Sequence, residues 1–224
     1  MPRHTPEETL AALLRHPVVP VFYHADPAYA QRIVQACYAG GIRVFEFVNR
    51  GKGALEAFTH LRAFVAESCP EMVLGIGTIF KAAEAERFIA AGAAFVVQPL
   101  ATAEVAQVCR AHHIPWLPGA LTPTEIYQAS ELGAAVVKIF PGNLVGPDYV
   151  KALRGPMPHI KLMVTGGVEP TPASIGAWFG AGVNAVGMGS QLFKNADDPA
   201  ALSARISELM AYVATLKINA STGP

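Results

Sequence analysis

Short apolar runs rich in β-branched residues recur along the chain, and each is followed by a stretch of helical period. The runs are "VVPVFY" (18–23), "RVFEFV" (43–48), "VLGIGT" (73–78), "FVVQP" (95–99), "WLPG" (116–119), "AVVKIFP" (135–141), "KLMVTGG" (161–167) and "AVGMG" (185–189). Near-continuous apolarity over so short a length is the pattern of strands buried on both faces, as in a parallel sheet. Between the runs, Ala30, Ile33, Val34, Cys37 and Tyr38 follow the i, i+3, i+4, i+7, i+8 stripe of an amphipathic helix. Val105, Val108 and Cys109 repeat that spacing. The pattern predicts eight strands, each followed by a helix.

The helix ends show a second regularity. Four close on glycine, in "AGG" (39–41), "AGA" (91–93), "LGA" (132–134) and "AGV" (181–183). Glycine there supplies the left-handed residue that ends a helix. The intervening three close near Pro70, Pro115 and Pro158, and proline cannot continue a helix. The alternation makes two βα modules the repeating unit. Eight parallel strands joined in this way close as an α/β fold of the (β/α)8 TIM-barrel type. An open doubly wound sheet is the alternative, but it calls for a Gly-rich turn after the first strand, and "FYHADPAY" has no glycine. The expected layout over 1–224 is one barrel domain: an extra N-terminal helix (1–17), the barrel strands (18–193), and a C-terminal helix and tail (194–224).

Composition narrows the class. Of 224 residues, 52% are hydrophobic and 15% charged, with zero formal net charge, which suits a large core and argues against a nucleic-acid footprint. The N-terminal segment carries acidic residues, unlike a signal peptide. No apolar run approaches the roughly 20 residues of a membrane span. Cys37, Cys69 and Cys109 lack metal-ligand spacing and read as reduced structural thiols, so the expected setting is the cytoplasm.

Against that apolar background a few polar residues stand out at strand ends, where barrels of this type gather their chemistry. Glu46 interrupts "RVFEFVNR", with Arg50 four residues on; Thr78 ends "VLGIGT"; Lys138 sits in "AVVKIFP"; Thr165 ends "KLMVTGG". Each has an ordinary explanation. The lysine can sit at a strand edge with its head in water, Glu46 and Arg50 can be a structural ion pair, and the threonines can be helix N-caps. Together they suit covalent catalysis by an amine. A lysine condenses with a ketone to a Schiff base that lets a neighbouring carbon–carbon bond break or form. An apolar strand and a nearby arginine would favour the neutral amine, Arg50 can grip a carboxylate, and Glu46 can shuttle protons. The glycine clusters "TGGVEP" and "GMGSQLF" offer Gly166, Gly167, Gly187, Gly189 and Ser190 as backbone anion ligands, beside a short helix N-terminus.

The motifs "VVPV", "FEFVNR", "GIGT", "PWLPG", "VVKIFPG", "MVTGGV" and "GMGS", in this order from Val18 to Phe193, resemble those of the KDPG/KHG aldolases. These class I lyases act on 2-keto-3-deoxy-6-phosphogluconate and 4-hydroxy-2-oxoglutarate. The resemblance implies a (β/α)8 barrel with Lys138 as Schiff-base lysine and Glu46 as general acid/base. It implies that Arg50 and Thr78 hold the pyruvate carboxylate, that Thr165, Pro99 and Phe140 line the same pocket, and that the glycine clusters with Ser190 take a phosphate. It further implies a keto-acid substrate, no metal or organic cofactor, a homotrimer, and a place in Entner–Doudoroff carbohydrate metabolism. The chain departs from the family pattern at Val48-Asn49, at Gln98 before Pro99, and at Gly142-Asn143 after the lysine motif. These lie where the far end of a substrate would be read, and "KIFPGNLVGPDYVKAL" also resembles a 6-phosphogalactonate aldolase. Two further readings keep the barrel: a phosphosugar isomerase or epimerase using Lys138 as a point charge, and a non-catalytic keto-acid-binding protein.

Overall fold

The computed structural model describes residues 4–216. Its strand segments are β1 Val18–Phe22, β2 Val44–Val48, β3 Val73–Gly77, β4 Val96–Val97, β5 Trp116–Leu117, β6 Gly119–Ala120, β7 Val137–Ile139, β8 Leu162–Thr165 and β9 Ala185–Met188. All pair in parallel, in the order β5-β4-β3-β2-β1-β9-β8-β7-β6. The two ends of that order, β5 and β6, are separated in the chain by Pro118 alone. One pass of chain therefore pairs β4 through its first half (Trp116 opposite Val96) and β7 through its second (Gly119 opposite Lys138). That closes the sheet into an eight-staved (β/α)8 barrel. The predicted strand "WLPG" is thus a broken one. Proline brings no N–H to a ladder, though its carbonyl still accepts the Lys138 N–H at 2.8 Å.

Helix α1 (Pro6–Arg15) precedes the barrel, and the other helices each follow one pass: α2 Pro27–Ala39, α3 Ala54–Ser68, α4 Ala82–Ala90, α5 Ala103–Ala111, α6 Pro123–Glu131, α7 Gly146–Leu153, α8 Pro172–Ala181 and α9 Pro199–Thr215. A capping box starts α1. The Thr5 hydroxyl accepts from the Glu8 N–H at 3.1 Å, and the Glu8 carboxylate accepts from the Thr5 N–H at 2.8 Å. The four predicted glycine ends behave alike, with Gly41, Gly92, Gly133 and Gly182 at φ of 93° to 104°. At the end of α5, ahead of Pro115, His113 takes the left-handed conformation instead (φ 53°). The expected C-terminal helix is α9, and the tail expected after it lies outside the described residues.

Strand side chains alternate between two cores. Those pointing outward, such as Phe45, Phe47, Val137 and Val164, pack beneath the helices in one large cluster. Those pointing inward, including Val19, Val44, Val73, Val136 and Met163, form a separate cluster inside the barrel. Leu13 of α1, 4% exposed, joins that inner cluster, with Leu10 and Ala12 packed against it. Helix α1 is therefore a stopper under the barrel. Among the described residues no helix is long and apolar enough to cross a membrane.

Candidate active site

The inward positions change character along each stave. On β2 they run Val44, Glu46, Val48; through β7 they run Val136, Lys138, Phe140; on β8 they run Met163, Thr165. The first residue of each series belongs to the apolar inner core, and the later ones line a cavity of about 420 Å³ at the C-terminal ends of the strands. A period of two has stacked a layer with polar groups on an apolar one.

Lys138 is 5% exposed and Glu46 1%, and Lys138 Nζ lies 3.7 Å from Glu46 Oε1. Lys138 Nζ also stands over the Phe140 ring, 5.1 Å from its centroid. The strand-edge explanation of Lys138 therefore does not hold. Burial pushes the Glu46 carboxyl above the ordinary glutamate value of 4.5, with Lys138 and then Arg50 pulling it back. Both carboxylate oxygens of Glu46 and the hydroxyl of Thr165 are buried without a hydrogen-bond partner. Within the cavity lining these three oxygens are free to accept or donate a hydrogen bond to a bound molecule.

Arg50 stands exposed on the cavity wall and forms no ion pair with Glu46; the structural pair considered from the sequence is replaced by Lys138–Glu46. Thr78 and Thr165 also line the cavity, and neither caps a helix: the N-cap of α4 is Lys81 and that of α8 is Thr171. Thr78 holds φ at 61°. For a β-branched residue this left-handed conformation is a true outlier, costing about 1–3 kcal/mol, and such strain collects at functional sites. Pro99 and Phe140 complete the wall on the β4 and β7 sides.

Gly166, Gly167, Gly187, Gly189 and Ser190 line the opposite side of the same cavity. Gly166 (φ 92°) and Gly167 (φ 72°) are consecutive left-handed residues. A Cβ on Gly167 would also come within 2.6 Å of Asn143 Cβ, so the turn is closed over by the loop after β7. The short helix N-terminus expected here is not formed. The chain after β9 makes turns instead (Leu192 N–H to Gly189 O, 3.0 Å; Phe193 N–H to Ser190 O, 3.2 Å), and the next helices begin at Pro172 and Pro199.

Sequence reading missed several wall residues. Tyr23, its ring 5.6 Å from that of Phe47, Gln191, and the smaller Val21, Val48 and Val168 all line the cavity. For Tyr23 the signal was present: inward alternation along "VVPVFY" runs Val19, Val21, Tyr23. Two glycines make room for the reactive groups. A Cβ on Gly77 would overlap the Glu46 carboxylate, and one on Gly187 would overlap the Thr165 hydroxyl.

Comparison with known proteins gives a consistent picture. The family model described as KDPG and KHG aldolase matches residues 10–206. A 2-dehydro-3-deoxy-phosphogluconate aldolase of Treponema pallidum is 36% identical over 159 residues, covering 70% of this chain and 74% of that protein. The 2-keto-3-deoxy-6-phosphogluconate aldolase of Zymomonas mobilis, solved with 3-phosphoglycerate, superposes with a TM-score of 0.81 at 28% identity, covering 93% of this chain and 97% of that one. A KDPG aldolase of Legionella pneumophila, solved with pyruvate captured as a covalent carbinolamine intermediate, superposes with a TM-score of 0.80 at 25% identity, covering 90% and 97%.

Proposed function

The chain belongs to the KDPG and KHG aldolase family, and we propose that its chemistry runs through an imine on Lys138 with Glu46 as the proton carrier. It is a class I aldolase, a carbon–carbon lyase. The observation that carries the assignment of roles is the buried Lys138–Glu46 pair, 3.7 Å apart on the floor of the cavity. The Legionella relative, held as a carbinolamine with pyruvate, supports the same kind of adduct here.

The substrate is a 2-keto acid with a hydroxyl at C4. Lys138 Nζ attacks C2, and the carbinolamine loses water to give a protonated imine. Glu46 accepts and returns the protons of these steps, a task suited to a carboxyl whose affinity for a proton is raised by burial. The C4 hydroxyl then gives up its proton, the C3–C4 bond breaks, and its electron pair moves into the imine as an enamine while C4 departs as an aldehyde. Protonation of C3 by Glu46 and hydrolysis of the imine release pyruvate and restore the amine. Arg50 and Thr78 hold the substrate carboxylate, with Thr165, Pro99 and Phe140 shaping the pocket around C2 and C3. The backbone of Gly166, Gly167, Gly187, Gly189 and Ser190, with the Ser190 hydroxyl, receives a phosphate at the far end. The products are pyruvate with glyceraldehyde 3-phosphate from the phosphogluconate substrate, or with glyoxylate from 4-hydroxy-2-oxoglutarate.

Sodium borohydride added with pyruvate should leave one reduced adduct, located on Lys138 by mass spectrometry; an unmodified Lys138 would refute the imine. Competing the phosphorylated against the unphosphorylated substrate, and then the C4 epimer, in one coupled pyruvate assay ranks the substrates. The exposed side chains of Phe80, Leu100, Tyr127 and Leu144 (44–67%) support self-association, and light scattering tests whether the assembly is a homotrimer. Three free, buried cysteines support a reducing, cytoplasmic setting.

A further inference from the structure

Gln98 follows β4 immediately, is 0% exposed, and does not line the cavity. A fully buried amide needs partners for each polar group, and Gln98 has them. Its Oε1 accepts from Trp116 Nε1 at 2.8 Å, while its Nε2 donates to Ile79 O and to Thr102 Oγ1, both at 3.2 Å. The assignment of oxygen and nitrogen is not arbitrary. Indole N–H is only a donor and a backbone carbonyl only an acceptor, so these two neighbours fix which way the amide faces.

The carbonyl it grips belongs to the residue next to Thr78, the strained threonine of the cavity wall. Little else ties that segment to β4. The ladder between β3 and β4 has one paired position, Ile76 with Val96, and past it the Ile79 N–H reaches Val97 O at 3.4 Å, a long hydrogen bond. Left-handed backbone in a β-branched residue persists only where the surroundings over-determine it. On the other side, the backbone N–H of Gln98 is held by Leu117 O at 3.1 Å. The amide thus spans β3, β4, β5 and the start of α5.

We propose that Gln98 is a positioning residue: through the Ile79 carbonyl it holds Thr78 in its left-handed conformation and so sets the geometry of substrate-carboxylate binding. The proposal rests on the reading of Thr78 as a ligand of that carboxylate. It separates Gln98 from packing residues of the same burial, because its loss acts on binding before it acts on chemistry.

The test compares Gln98→Met, which keeps length and removes the amide, with Gln98→Asn, which keeps the amide and cannot span the same gap. In each folded variant, checked by circular dichroism and thermal melting, KM for the keto acid and the pyruvate concentration that half-saturates borohydride trapping should rise about tenfold, with kcat within about threefold, the signature of lost binding common to ground and transition state. Trp116→Phe, which leaves the bond to Ile79 in place, should shift KM less than either. The double variant Thr78→Ala/Gln98→Met should bind no worse than Thr78→Ala alone. Wild-type KM in either folded Gln98 variant, or additive effects in the double variant, would overturn the proposal. A Thr78→Ala enzyme with unchanged KM would instead overturn the reading of Thr78 on which it rests.

Discussion

The two ends of the barrel are built from the same strands and ask opposite things of them. At the base, Val19, Val44, Val73, Val136 and Met163 meet Leu13 of α1 in an apolar plug. Two residues further along three of the staves, the interior holds a glutamate, a lysine and a threonine, with three oxygen atoms lacking a hydrogen-bond partner, and past β3 stands a threonine in strained backbone. The apolar cluster and the polar cavity groups thus occupy opposite ends of the same staves.

If that division is real, substitutions should sort by end, and the largest effect belongs to the cavity. Lys138→Ala should lower kcat/KM by about 10⁴-fold or more and abolish borohydride trapping, since it removes the one lysine lining the cavity among the described residues, the proposed imine former. Replacing both members of the buried pair, as Lys138→Met with Glu46→Leu, should raise the melting temperature of the inactive protein, because an apolar pair of similar volume commonly outperforms buried charges. A lower Tm in that double variant would break the comparison.

The base should give the reverse. Leu13→Ala should cost about 2–5 kcal/mol in urea unfolding, the range for a buried leucine, with kcat unchanged at temperatures where the protein stays folded. A fall in kcat would mean that the plug communicates with the cavity. Arg50→Lys comes next: the side chain is exposed, so Tm should hold, while KM should rise about tenfold as a planar fork is exchanged for a point charge.

The smallest effect is a slope. Burial raises the Glu46 pKa in the folded protein, so the folded state keeps a proton that the unfolded chain releases above 4.5. The stability this proton confers is full below 4.5 and is lost as pH rises through the raised value. Relative to Glu46→Gln, the wild type should therefore lose Tm as pH increases across that window. Parallel Tm–pH curves would remove Glu46 from the comparison of the two ends.

Much of this division could be read from the sequence. Eight apolar runs, glycine at alternate helix ends, and a few polar residues inside strands were enough for the barrel and for the cluster on its axis. Those signals are local: a helix that must end in a left-handed residue selects glycine, and a buried strand admits few charges. What stayed hidden depends on neighbours. Nothing about threonine as a residue type announces a φ of 61° at Thr78, because that backbone is imposed by the contacts around it. The break at Pro118 changes partners without changing composition, so "WLPG" reads as one strand. Glu46 and Arg50 are four apart and invite pairing, whereas the cation beside Glu46 comes from β7. His113 closes α5 in the left-handed conformation at an end marked by proline.

Helix α1 has a kinetic corollary. Because α1 packs against the apolar base of the barrel, the cavity is closed from below and faces outward at the C-terminal ends of the strands. Under the proposed imine mechanism, the fragment tethered to Lys138 would sit on the cavity floor beside Glu46, with the aldehyde between it and the exit. That mechanism predicts that the aldehyde leaves before pyruvate and that, in the condensing direction, pyruvate enters ahead of its partner.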